Sequence, residues 1–219
     1  MHSGSCLNAP EDTVCPWDPR IHAYFAYNTA ASIPFSNITS FLTDVKKLRE
    51  TNPIALCAID GYIGFIIRFM KKSTAYLGKT EDSADIDMSY YRSRDPKRPR
   101  LDEDVMEEIE QMMLFKYSGL PHLGKNRKVG FIGLREKLGV RLNKFVEVMQ
   151  RFDEGGLFSS DWSDAVLGLR GKEPVMVRKR CALDGLCICS VDKHCAPEEG
   201  YLCRPGLVYE KARVCRKVR

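Results

Sequence analysis

His122 and Lys125 stand three apart in Pro121-His122-Leu123-Gly124-Lys125-Asn126, between a proline that fixes one backbone angle and a glycine that opens others. An imidazole and an ammonium in a shaped loop can meet an electron-rich ring or steady a developing negative charge. Surface loops also carry these residue types with no task beyond solvation, so the motif draws its weight from its surroundings. Arg68 is the other cation of interest. It follows Ile66-Ile67 at the end of an apolar run, and Ile66 and Arg68 share strand parity and therefore a face.

The elements that must position these residues are legible in outline. From Ser36 to Arg49, apolar residues at Ile38, Phe41, Leu42, Val45 and Leu48 form a helical stripe that Asn52-Pro53 ends. Ile54 to Phe69 is apolar and β-branched, interrupted by Asp60-Gly61 and Gly64, which predicts a strand with a bend or bulge. Asp85 to Tyr90 alternates, with Ile86, Met88 and Tyr90 inward and Asp85, Asp87 and Ser89 outward, as in a half-exposed strand. "RSRDPKRPR" reads as a charged linker. Leu101 to Phe115 is the strongest helix, with Leu101, Val105, Ile109, Met112 and Met113 as its buried stripe and acids in its first turns. The His122–Lys125 loop follows directly. A further helix carries Leu138, Leu142, Phe145, Val146, Met149 and Phe152 in register and stops at Gly155-Gly156. Residues 1–34 read as irregular. This order predicts an α+β fold: an antiparallel sheet with helices on one face.

With 219 residues and 44% hydrophobic content, the chain can bury one sizeable core. Its net charge of +5 lies in residues 171–219, which hold 11 Lys and Arg against 6 Asp and Glu. Arg178-Lys179-Arg180 has no interleaved aromatics, so a solvated basic tail is expected and no nucleic-acid partner. No apolar run approaches the roughly 20 residues of a membrane span. The first residues show no signal peptide.

Six of the nine cysteines, at 181, 187, 189, 195, 203 and 215, lie in the Gly- and Pro-containing tail. An even, dense cluster predicts at least three disulfides in one of fifteen connectivities. Zinc is the competing reading because His194 adjoins Cys195, but Cys187-Ile188-Cys189 is a CxC and paired CxxC knuckles are missing, so no metal site is expected. Cys6 and Cys15 offer a further pair, and Cys57 is expected to be a buried small hydrophobe. The cysteines and the Asn37-Ile38-Thr39 sequon point to a secretory, extracellular or vacuolar protein, with membrane association left open.

The loop, with "CPWDPRI" at 15–21, "AYLGKTED" at 75–82, "YYRSRDP" at 90–96, "EEIEQM" at 107–112, "LFSSDW" at 157–162 and "CICSVDKHCAPEEGYLCRPG" at 187–206, resembles the C-terminal part of the plant-type L-gulonolactone oxidases. These belong to the FAD-linked aldonolactone oxidases, which include the D-arabinono-1,4-lactone oxidases. The resemblance implies the C-terminal cap, or substrate, domain of a vanillyl-alcohol-oxidase-type flavoprotein over residues 1–170, with a disulfide-stapled tail over 171–219. It implies FAD, and oxidation of L-gulono-1,4-lactone or a related aldono-1,4-lactone by O2 to give H2O2 in ascorbate biosynthesis. Such enzymes bind most of their FAD in an N-terminal domain to which nothing here corresponds, so a separate FAD-binding domain is the implied partner.

By the same resemblance, Lys125 would stabilise the anionic reduced flavin near its pyrimidine end. His122 would bond flavin or substrate or accept the hydroxyl proton, and Asn126 would touch the cofactor. Arg68 would face the substrate, although the acid usual two positions earlier is replaced by Ile66. Asp60 could compensate only if the bend brings it back. Leu123 stands where the family has tryptophan, and Asp153-Glu154 where it has Asp-Pro, which predicts a reshaped pocket and a looser turn. A second reading makes the chain a truncated, non-catalytic fragment or a secreted cysteine-rich binding module.

Overall fold

A computed structural model describes residues 26–56, 64–91, 98–100, 102–125 and 127–218. The expectations for Cys6, Cys15, Cys57, Asp60, Leu101 and Asn126 lie outside these residues.

The chain forms an α+β fold on a four-stranded antiparallel sheet of order β2-β3-β1-β4. Its strands are β1 (Ala26–Pro34), β2 (Phe65–Met70), β3 (Ser83–Tyr91) and the two-residue β4 (Leu120–Pro121). β1 corrects the expectation that residues up to 34 are irregular. Its sequence, AYNTAASIP, is mostly small and polar, so no strand propensity announces it. It lies between β3 and β4, and the pairing supplies what propensity does not.

Paired residues share a face, so the register sorts the sheet into two sides. Ala31, Ile33, Ile86 and Met88 point to the core. Against them pack helix α1 (Ile38–Thr51) through Phe41, Val45 and Leu48, and helix α2 (Glu103–Gln111) through Val105, Met106 and Ile109. Phe41 meets Tyr117 edge-on at 5.8 Å, and the Tyr117 hydroxyl donates to the buried Asp44 carboxylate at 2.6 Å. α2 runs on as a wide turn over Met112–Lys116 in which the Tyr117 amide reaches back to the Met112 carbonyl. Gly119 ends it, where a Cβ would lie 2.5 Å from the Met113 carbonyl oxygen.

The single helix expected after residue 138 is two: α3 (Leu134–Leu138) and α4 (Val140–Phe152), divided at Gly139 with φ +53°. Leu142 is buried, whereas Phe152 is 79% exposed and leaves the expected stripe. The turn after α4 is held rather than loosened, because the Asp153 carboxylate accepts from the Leu157 and Phe158 amides at 2.7 and 3.0 Å. Helix α5 (Asp161–Val166) follows, opened by a Ser160–Ser163 capping box.

The tail folds around the hairpin of β5 (Tyr201–Pro205) and β6 (Arg213–Lys217). Its six cysteines pair as Cys181–Cys187, Cys189–Cys203 and Cys195–Cys215. The tail is docked as well as stapled. Glu108 of α2, fully buried, accepts the Leu207, Val208 and Tyr209 amides at 2.7–2.8 Å, and Gln111 exchanges two hydrogen bonds with the Arg213 backbone. The acids of α2 are therefore not there for the helix dipole alone: Glu103, Glu107, Glu108 and Glu110 are all buried.

Candidate active site on the second face of the sheet

Opposite the core, the sheet carries polar side chains in two cross-strand rows. One row runs Ile66, Asp87, Ala30 and on to His122, whose amide donates to the Ala30 carbonyl at 2.9 Å. The other runs Arg68, Asp85, Ser32 and Leu120. Asp87 is 3% exposed, which corrects the expectation of an outward, solvated face on β3.

A buried carboxylate needs compensation. Lys125 supplies part of it: its Nζ pairs with Asp87 Oδ2. Arg68 supplies the rest from the neighbouring strand, with Nη1 3.6 Å from the same oxygen. Asp85 is matched in the same way, by Lys79 at 3.2 Å and by the Ser32 hydroxyl. The acid that the spacing around Arg68 lacked therefore comes from β3. Period-2 reasoning within one strand cannot find it, because the partner is set by cross-strand register. The signal for it was present all the same, as two aspartates at 85 and 87 alternating with Ile86 and Met88.

The loop carrying His122 and Lys125 is a tight turn. The Lys125 amide donates to the His122 carbonyl at 3.3 Å, and the Gly124 amide donates to His122 Nδ1 at 3.1 Å. Accepting that bond leaves Nε2 as the ring's proton-bearing nitrogen in the neutral form, on an exposed side chain. Leu123 turns back into the cluster of Phe131, Leu134, Leu138 and Leu142, so this side chain anchors the loop.

A cleft of about 80 Å³ adjoins the second row, lined by Ser32, Lys79, Ser83, Leu120, Lys137 and Arg141. That volume takes a few waters and falls well short of the roughly 300 Å³ of a ligand pocket. Burial pulls the Lys137 ammonium down to about 8, and its Nζ donates to the Leu114 and Gly119 carbonyls at 2.6 and 2.7 Å. Lys137 thus ties the end of the α2 turn to the start of β4. The second face gathers cations around two carboxylates, an arrangement suited to orienting a hydroxylated ligand and holding negative charge.

Residues 23–166 match the D-arabinono-1,4-lactone oxidase family, and residues 178–217 match the C-terminal domain of L-gulonolactone oxidase 2-like proteins. The whole chain is 51% identical to probable L-gulonolactone oxidase 4 of Arabidopsis thaliana, of which it covers 38%. Over 98% of its length it is 52% identical to L-gulonolactone oxidase 3 of the same plant, covering 37% of that protein. It is also 49% identical to the probable truncated L-gulonolactone oxidase 7, mitochondrial, and covers 87% of that one. The chain thus spans less than two fifths of the longer relatives and most of the truncated one. No solved structure matches it significantly. The expectation of a secretory, extracellular or vacuolar address is corrected by these findings, because a relative that matches along the whole chain is named mitochondrial. No helix among the described residues is long and apolar enough to cross a membrane.

Proposed function

The chain belongs to the D-arabinono-1,4-lactone oxidase family, in the branch of the plant L-gulonolactone oxidases, and on that premise we propose that it is the cap, or substrate, part of such an oxidase. Residues 1–170 act as the cap and residues 171–219 as its stapled tail. The second face of the sheet meets an aldono-1,4-lactone and the edge of an FAD held by another polypeptide segment. The single observation that carries this reading is the convergence of Arg68 and Lys125 on the buried Asp87.

The residues present suit that ligand pair. FAD, when bound, takes up the hydride from the lactone and passes electrons to O2. Lys125 and Arg68 are cations whose positions are fixed by a shared carboxylate, so they hold negative charge with little reorganisation. Asp87 keeps both side chains from folding away into solvent. His122, exposed and accepting the Gly124 amide at Nδ1, presents its Nε2–H as a donor to a substrate or flavin oxygen.

The test is reconstitution. This chain is co-expressed with the N-terminal three fifths of a longer relative, and the complex is mixed with L-gulono-1,4-lactone without oxygen. Bleaching of the flavin band is expected, slowed about 10²-fold by Lys125→Met, in line with loss of one charge-stabilising group. A complex that holds flavin and is not bleached by any aldonolactone overturns the reading. The second reading, a fragment without catalysis, is favoured by the truncated relative of similar length and gains from that outcome.

A further inference from the structure

Arg127, two residues after Lys125, is the point at which α2, β1 and the tail meet. Its guanidinium is buried, with Nη1 donating to Glu107 Oε1 at 3.1 Å and Nη2 paired with Glu110 Oε2. Glu110 in turn accepts from the Thr29 hydroxyl of β1 at 2.8 Å. Thr29 is the chain neighbour of Ala30, whose carbonyl receives the His122 amide. A continuous path therefore leads from the loop into α2 and back to the strand beneath the candidate site.

The tail closes over the same guanidinium. The Val129 amide donates to the Gly185 carbonyl at 3.2 Å. Gly185 sits at φ +63°, and a Cβ there would lie 2.5 Å from Arg127 Cδ, so only glycine lets the tail come this close. Gly185 lies inside the loop that Cys181–Cys187 closes, and Cys187 borders the same small cavity as Arg127, Glu107 and Glu110.

We propose that Arg127 is the positioning residue for Lys125, and that the stapled tail is the clamp that holds Arg127 on Glu107 and Glu110. The tail is then part of the candidate site at one remove. With Arg127 fixed, the loop bearing His122 and Lys125 has one end pinned to β1 and the other to α2, and the Lys125 ammonium stays over Asp87. The inference rests on the proposed function only for what Lys125 does, not for what holds it.

Competitive acylation of the full chain with an N-hydroxysuccinimide acetate, read peptide by peptide by mass spectrometry, tests it. Lys116 is the internal control: it is paired with Asp44, is about as exposed as Lys125, and lies outside the Arg127 network. Arg127→Gln, Gly185→Ala and the double variant Cys181→Ser/Cys187→Ser are each expected to raise Lys125 labelling at least fivefold and to leave Lys116 within twofold of wild type. Lys125 labelling within twofold of wild type in variants that keep their circular dichroism overturns the proposal. Equal acceleration at Lys116 and Lys125 in all three also overturns it, since the network would then be holding the whole fold and not the loop. Either failure leaves flavin bleaching by the reconstituted complex to judge the proposed function separately.

Discussion

Asp87 and Lys125 close an ion pair that spans a strand: the carboxylate stands on β3, the ammonium returns from the loop after β4, and β1 lies between them. The residue of β1 in that row is Ala30, whose single methyl leaves room for the lysine to cross. Arg68 completes the arrangement from β2, so one carboxylate on β3 ties together an outer strand and the loop that follows β4.

Asp87→Asn removes the charge that gathers those two cations. Asp87 is buried but Lys125 and Arg68 are partly solvated, so the cost is expected at about 1.5–3 kcal/mol, that of a charge-assisted hydrogen bond. Urea unfolding measures it, and an unchanged midpoint would show that the pair contributes nothing to stability.

The buried acids of α2 make stability depend on pH. Burial raises the Glu107 carboxyl to about 8, against the pull of Arg127, from an ordinary value of 4.5. A folded-state value above the unfolded one means the folded protein holds the extra proton between the two. The Glu107 contribution is therefore fully present below about 4.5 and is lost as pH rises through about 8. Thermal melts from pH 5 to 8.5 should show stability falling through this window, and Glu107→Gln should flatten the slope. The same slope in the variant would assign it to another group.

Both oxygens of Glu108 accept from tail amides, and Arg216 of β6 stands 3.7 Å from the same carboxylate. Glu108→Ala leaves those amides to water or to nothing, and amide exchange at Leu207, Val208 and Tyr209 should accelerate by at least tenfold. Exchange at Ile33 and Ile86, in the sheet core, serves as the reference. Unchanged protection at the three amides would mean that the tail is held there without Glu108.

Non-reducing peptide mapping should recover three tail bridges: 181–187, 189–203 and 195–215. Their removal should not be equivalent. The Cys195–Cys215 bridge spans 20 residues and Cys181–Cys187 only 6, which by loop entropy makes the longer one worth about 1 kcal/mol more. Paired Cys→Ser variants measured by chemical denaturation check the order. Bound zinc, or six alkylatable tail thiols, would refute the pairing itself.

The sequence determined what could be read along one element at a time. The stripe of Val105, Ile109, Met112 and Met113 announced α2 because side chains three and four apart must share a helix face. Ile86 and Met88 announced the core face of β3 by alternation, and six clustered cysteines announced crosslinks. His122, Lys125 and Arg68 stood out by type and by the resemblance their surroundings carry.

Tertiary structure decided everything that depends on which elements lie side by side. β1 was hidden because its small residues have no preference that outweighs a loop, and only pairing on both sides makes it a strand. The choice among fifteen connectivities required the tail's path through space. The three glutamate partners of Arg127 and the tail were invisible on a helix whose acids are explained along the sequence by the helix dipole alone. The carboxylate for Arg68 and Lys125 belongs to neither of their segments, because hydrogen-bond register, which no local pattern encodes, brings Asp87 beneath both.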